Sequence, residues 1–157
     1  MTMSFEARIK ELGLTIPEAP KPVANYVLAV KTGDLIFASG QTPTRNGMLA
    51  MQGKLGQSVS IEDGQKAARL ALLNCLAEVR SITGSLDVIT RIVKLNGYVA
   101  SAEGFGDQPR VVNGASLLLE EIFGDVGKHA RAALGVAELP GGAPVELELI
   151  VEVSPQS

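Results

Sequence analysis

The sequence predicts an α+β fold: a mixed β-sheet with two long helices packed on one face and a short extra helix ahead of them. Three observations lead there. Val145, Leu147, Leu149, Val151 and Val153 alternate with Glu146, Glu148, Ile150 and Glu152, the period-two pattern of a strand with one buried face. Ile61, Ala68, Leu72, Cys75, Leu76, Val79 and Ile82 recur instead at helical spacing. The elements then run helix, strand, strand, loop, helix, strand, helix, strand, strand, so two long helices are available to cover one side of a sheet.

In chain order, Ser4 to Leu14 carries Phe5, Ile9 and Leu12 at helical spacing, with Ser4 as N-cap and Gly13 as the stop. Pro17, Pro20 and Pro22 then hold the chain extended. Residues 26–31 and 35–39 flank Thr32-Gly33-Asp34 and predict a hairpin. Gly40 to Ser60 is too long for an idle turn, and a short strand is expected within it around Met48 to Met51. The long helix over 61–82 is capped by Ser60, with Asp63 three residues on, and ends at Thr83-Gly84. Ile89 to Ala100 is rich enough in β-branched residues for a central strand. Asp107-Gln108-Pro109 opens a second helix that runs through Phe123 and closes at Gly124. Residues 130–137 and 145–153, joined by the turn formers Leu139 to Pro144, read as a closing antiparallel hairpin with Arg131 at its mouth.

The 157 residues suit a single domain, 1–157, whose first 24 residues form the helix and the proline-rich extended segment. A 46% hydrophobic, 20% charged composition is that of a compact folded protein. The net charge of −3, with scattered Lys and Arg, argues against nucleic acid as a partner. No apolar run is long enough for a membrane, and one cysteine with no secretory signal pattern points to the cytoplasm. Adjacent apolar residues face opposite sides of a strand at Ile92/Val93 and Leu149/Ile150, so the helix-free face is expected to pack on another subunit.

One histidine and one cysteine, far apart in sequence, make no metal cluster, and no nucleotide-binding glycine motif or nucleophile elbow is present. Cys75 falls on an apolar helical stripe and reads as a packed thiol. His129 is a proton carrier or simply a half-exposed side chain. Arg131 begins a strand among Ala and Leu neighbours; its guanidinium suits bidentate capture of a carboxylate, or an ordinary salt bridge, Glu146 being one partner within reach of a hairpin. Glu146, Glu148 and Glu152 share one strand face, which is either the wet side of the sheet or the wall of a cleft.

At Arg131-Ala-Ala-Leu-Gly-Val-Ala-Glu-Leu-Pro140, with Val145-Glu-Leu147 and Ser39-Gly-Gln41 followed by Pro43, the chain resembles the Rid (YjgF-like) family of reactive imine and enamine deaminases, also labelled L-PSP endoribonucleases. The resemblance runs from about Tyr26 to Val153, and the N-terminal extension and the stretch Leu117 to Lys128 look like the longer branch of the family. It implies a chorismate-mutase-like fold, a homotrimer with a pocket in each inter-subunit cleft, 2-imino or 2-oxo acids as small-molecule partners, and no cofactor. By matching positions it implies that Arg131 holds the substrate carboxylate and Glu146 activates water, with the backbone of Gly40 and Ala133, and the side chains of Tyr26 and Asn113, completing the pocket. Ala132-Ala133 stands where many members carry Ser-Cys, so a mechanism through that thiol is excluded. Imine hydrolysis needs none, since a protonated C=N is already electrophilic and water is the nucleophile.

Overall fold

The structure, a computed structural model, describes residues 3–22 and 24–155; of the expected 1–157 domain, Met1, Thr2, Val23, Gln156 and Ser157 lie outside the described residues. Helix α1 (Phe5–Glu11) is capped as expected, Ser4 Oγ accepting from the Ala7 N–H. Strands β1 (Ala29–Thr32) and β2 (Leu35–Gln41) form the first hairpin. β1 starts three residues later than its apolar content suggested, because residues 24–28 run as bends before the ladder begins. The strand expected near Met48 is the two-residue β4 (Met48–Leu49), paired with β3 (Thr44–Arg45).

Helices α2 (Ile61–Thr83) and α3 (Gln108–Phe123) fall where the spacing put them, with Ser60 Oγ accepting from the Asp63 N–H and Gly84 in the left-handed conformation closing α2. Two details differ. Asp107 makes no side-chain cap bond and pairs with Arg110 instead. Ile82, counted in the apolar stripe, is exposed on the last turn of α2.

Strand β5 (Ile89–Ala100) is the longest of the sheet, followed after α3 by β6 (Ala130–Val136) and finally by β7 (Val145–Val153). The sheet order is β1-β2-β7-β5-β6. β6 runs parallel to β5, and every other pairing in this sheet is antiparallel.

That order overturns the closing hairpin. β6 and β7 do not pair; they lie on opposite sides of β5. The turn formers instead shape a 3-10 segment, Pro140–Gly142, that carries the chain across the end of β5. There the Ser101 N–H bonds the Val136 carbonyl of one strand, and the Ala100 N–H bonds the Pro144 carbonyl leading into the other. A hairpin would have left β5 with an open edge in the middle of the core. Inserting β5 satisfies both of its edges.

The alternation of β7 survives unchanged. Val145, Leu147, Leu149, Val151 and Val153 are buried beneath α2 and α3, with Ile92, Leu95 and Val99 of β5 beside them. Cys75 is a packed thiol as expected, its Sγ donating to the Leu147 carbonyl, and burial pushes its pKa well above the usual thiol value. The other face has no helix. It shows Val30, Phe37 and Leu134, all exposed, among Glu146, Glu148 and a half-buried Ile150. Of the apolar pairs read from sequence, Leu149 and Ile150 do face opposite sides, whereas Val93 sits in a register irregularity between Ile92 and Lys94. Among the described residues no helix is long and apolar enough to cross a membrane.

Candidate functional site

Register decides where each candidate side chain points. Arg131 is level with Leu95, and Leu95 with Leu149, so its side chain leaves the sheet on the helix-covered face. Glu146 is level with Tyr98, three positions further along β5. An odd offset on a pleated strand means opposite faces. Two strand spacings across and three residues along put the two Cα atoms about 14 Å apart. Within one chain, then, Arg131 and Glu146 neither share a strand pair nor form a salt bridge. The sequence-based expectation of neighbouring strands fails for the reason that undoes the hairpin.

The two residues head separate groups. In the first, the half-buried Arg131 directs Nη1 at two acceptors on α3, Asn113 Oδ1 at 2.7 Å and Ser116 Oγ at 3.2 Å. Positions 113 and 116 lie one helical turn apart and so present both oxygens from one side. Among the described residues no carboxylate lies within ion-pair distance of this guanidinium, and its Nε and Nη2 make no protein hydrogen bond. The edge that a carboxylate would grip in bidentate fashion is therefore available. Ala133, two residues on and on the same face, packs against the core beside Gly97. β6 is an edge strand, so this group lies at the border of the sheet.

The second group lies on the open face. Glu146 stands against Gly40: a Cβ built on that glycine would come within 2.7 Å of Glu146 Oε2, so the close approach requires the missing side chain. β2 is irregular at this point, its register with β7 shifting between Ala38 and Gln41. Burial, and then the neighbouring Glu148, raise the pKa of Glu146 above the ordinary carboxylate value. Glu148 Oε1 accepts from the Tyr98 hydroxyl at 2.6 Å and from Asn96 Nδ2 at 3.0 Å, and the tyrosine is pushed up to about 12, chiefly by that hydrogen bond. Glu146 and Glu148 are thus half-buried among hydrogen-bonding neighbours, while Glu152 at the far end of the row is exposed. Tyr26 is exposed in the segment before β1, and that segment is tied to this group where Ser39 Oγ donates to the Val27 carbonyl at 2.7 Å.

Two features were not picked out from the sequence. Ser116 joins Arg131 to His129, and the only available signal was its three-residue spacing from Asn113. Glu78, on the buried side of α2, has neither carboxyl oxygen hydrogen-bonded among the described residues. Burial lifts its pKa to about 9, although the nearby Gln41 side chain pulls the other way. Its signal was legible, an acid set in the apolar run of Cys75, Leu76 and Val79.

Comparison with known proteins gives this geometry a setting. Residues 6–150 match the family described as "YjgF/chorismate_mutase-like, putative endoribonuclease". The chain is 42% identical over 149 residues to Protein TCP17 of Trypanosoma cruzi, covering 94% of this chain and 93% of that protein. It is 30% identical over 142 residues to a 2-iminobutanoate/2-iminopropanoate deaminase of Dermatophagoides farinae, covering 89% and 94%. The crystal structure of Atu1372, a protein of unknown function from Agrobacterium tumefaciens, superposes with a TM-score of 0.88 at 44% identity, covering 96% of this chain and 94% of that one.

Proposed function

The chain belongs to the YjgF/chorismate-mutase-like family, and from that premise we propose that it hydrolyses short 2-imino and 2-enamino acids to 2-oxo acids and ammonia. The observation that carries the reading is Arg131: a half-buried guanidinium, held through Nη1 by Asn113 and Ser116, with Nε and Nη2 left for a ligand. Such a group is suited to a small organic carboxylate.

The chemistry asks little more of the protein. Water adds to the carbon of the protonated C=N, the π pair moves to nitrogen, and Glu146 takes the proton the water sheds. Glu146 returns that proton to nitrogen, which leaves as ammonia, while the new hydroxyl gives its own proton to the carboxylate and the C–O bond becomes the carbonyl of the 2-oxo acid. A raised pKa makes Glu146 a better proton acceptor than an ordinary surface carboxylate. The backbone of Gly40 and Ala133 flanks the ligand in this reading, and Tyr26 closes the pocket from the side of β1.

A complete site requires more than one chain, because Arg131 and Glu146 lie on opposite faces of the sheet. The β6 border of one protomer must meet the open face of the next. Such a head-to-tail contact makes a ring where its rotation closes, and a closed homotrimer is the proposed assembly. It also covers Val30, Phe37 and Leu134, which a lone protomer leaves in water. Cleavage of RNA fits poorly, since the acidic row at Glu146, Glu148 and Glu152 would repel a phosphate backbone.

The test is the decay of 2-iminopropanoate released by an amino-acid oxidase, followed with and without the purified protein. Wild type is expected to accelerate it. Arg131→Ala should lower kcat/KM at least tenfold, in line with the roughly 1.5–3 kcal/mol of a charge-assisted hydrogen-bonded contact. An unchanged rate in that variant refutes the assignment. Stabilisation by a 2-oxo acid with no turnover in the wild type would instead mark a carboxylate-binding protein.

A further inference from the structure

The guanidinium of Arg131 is the end of a longer chain of hydrogen bonds. His129 Nδ1 lies 2.6 Å from the Gly127 carbonyl oxygen, and His129 Nε2 lies 2.9 Å from Ser116 Oγ. A carbonyl can only accept, so Nδ1 carries a proton, and in the neutral ring Nε2 presents its lone pair. The Ser116 hydroxyl therefore donates to His129, which turns a serine lone pair toward Arg131 Nη1. Every donor in the series has an acceptor, and the direction of each bond is fixed by the carbonyl at its start.

That start is rigid. Gly127 is buried against α3, where an added Cβ would collide with the Leu119 carbonyl, so the 3-10 segment Gly124–Gly127 packs directly on the helix backbone. Asn113 Oδ1 supplies the second acceptor to the same Nη1. A long, rotamer-rich side chain is thereby held by two bonds on one nitrogen, and its free edge keeps one orientation.

We infer that Ser116 and His129 are positioning residues: they form a one-way relay from the Gly127 carbonyl that sets the angle at which Arg131 meets the carboxylate of its ligand. The inference rests on the reading of Arg131 as a carboxylate holder. Neither residue touches the ligand in this arrangement. Their effect reaches it through the guanidinium, in ground state and transition state alike, so their loss is expected in KM and not in kcat.

The experiment measures pyruvate affinity by calorimetry, together with KM and kcat for 2-iminopropanoate, on the full chain and on Ser116→Ala, His129→Ala, His129→Gln, Arg131→Ala and the Ser116→Ala/His129→Ala pair. Each alanine variant in the relay should weaken pyruvate binding and raise KM by about two- to tenfold, with kcat held within about twofold. The pair should be no worse than the weaker single, because the groups act as one chain. In His129→Gln the amide oxygen can still accept the Ser116 hydroxyl, and affinity should return to near wild type. Because His129 is the chain's only histidine, its ¹⁵N signals are unambiguous and should show Nδ1 protonated whether or not any variant folds. Unchanged affinity in both single alanine variants while Arg131→Ala loses binding overturns the relay and leaves the carboxylate reading standing. So does an Nε2-protonated, Nδ1-bare ring. Unchanged affinity in Arg131→Ala itself overturns both.

Discussion

Two carboxylates on opposite sides of one sheet, Glu78 and Glu146, have both been pushed toward neutrality by burial, and the rest of their circumstances differ. Glu78 points from α2 into the apolar layer between helix and sheet, fully buried, with neither carboxyl oxygen hydrogen-bonded among the described residues. Glu146 stands on the uncovered face, half-buried against Gly40, with Glu148, Tyr98 and Asn96 close by. One shift is a cost carried by the fold. The other raises a carboxylate on the uncovered face, which makes it a stronger proton acceptor. A perturbed pKa alone would have ranked Glu78 first. The uncovered face and the neighbours reverse that order.

Replacing the acceptor should give the largest effect. Glu146→Gln is expected to lower kcat by about 10²- to 10⁴-fold, the usual contribution of a general base, with little change in thermal stability. In the wild type the rate should rise with pH as Glu146 loses its proton, with a midpoint above the ordinary carboxylate value because burial and Glu148 raise it. A pH–rate profile flat through the acid range would remove Glu146 from this role.

Glu78→Gln probes the closed side, and its readout is stability. The folded pKa of about 9 lies above the unfolded value near 4.5, so the native state keeps a proton that the unfolded chain sheds. Stability from this group is whole below pH 4.5 and declines as pH rises toward 9. Between pH 4 and pH 7 the wild type should lose roughly 3 kcal/mol relative to Glu78→Gln, whose amide does not titrate. Denaturant titrations at the two pH values measure this directly, and parallel curves would show that Glu78 is already ionised in the fold.

Gly40→Ala is the gentlest intervention. Its methyl would press on Glu146 Oε2 and displace the carboxylate while leaving every charge in place. A decrease of about tenfold in kcat/KM is expected, the scale of a sub-ångström misplacement of a reacting group. Wild-type kinetics in this variant would mean that Glu146 does not need its place against Gly40.

The local elements were legible in the sequence because each depends on neighbours a few residues away. The Ser60 cap, the left-handed Gly84, the bounds of β5 and the alternation of β7 all follow from such short-range patterns. Part of the candidate site was legible too. Arg131 stood out as a charge among small apolar residues, and Gly40, Ala133 and Asn113 lie next to one or other of its two centres.

What the chain order could not decide was which strands become neighbours. The short connection between β6 and β7 favoured a hairpin, yet β5 lies between them, because a twelve-residue strand flanked on both sides leaves no unpaired edge in the core. That single insertion sets Arg131 and Glu146 two strands apart and puts Arg131 on the covered face, while Glu146 keeps the open face that the alternation of β7 gives it. Side-chain alternation tells which residues share a face within a strand. Only the register between strands, set by packing over the whole layer, tells which face it is.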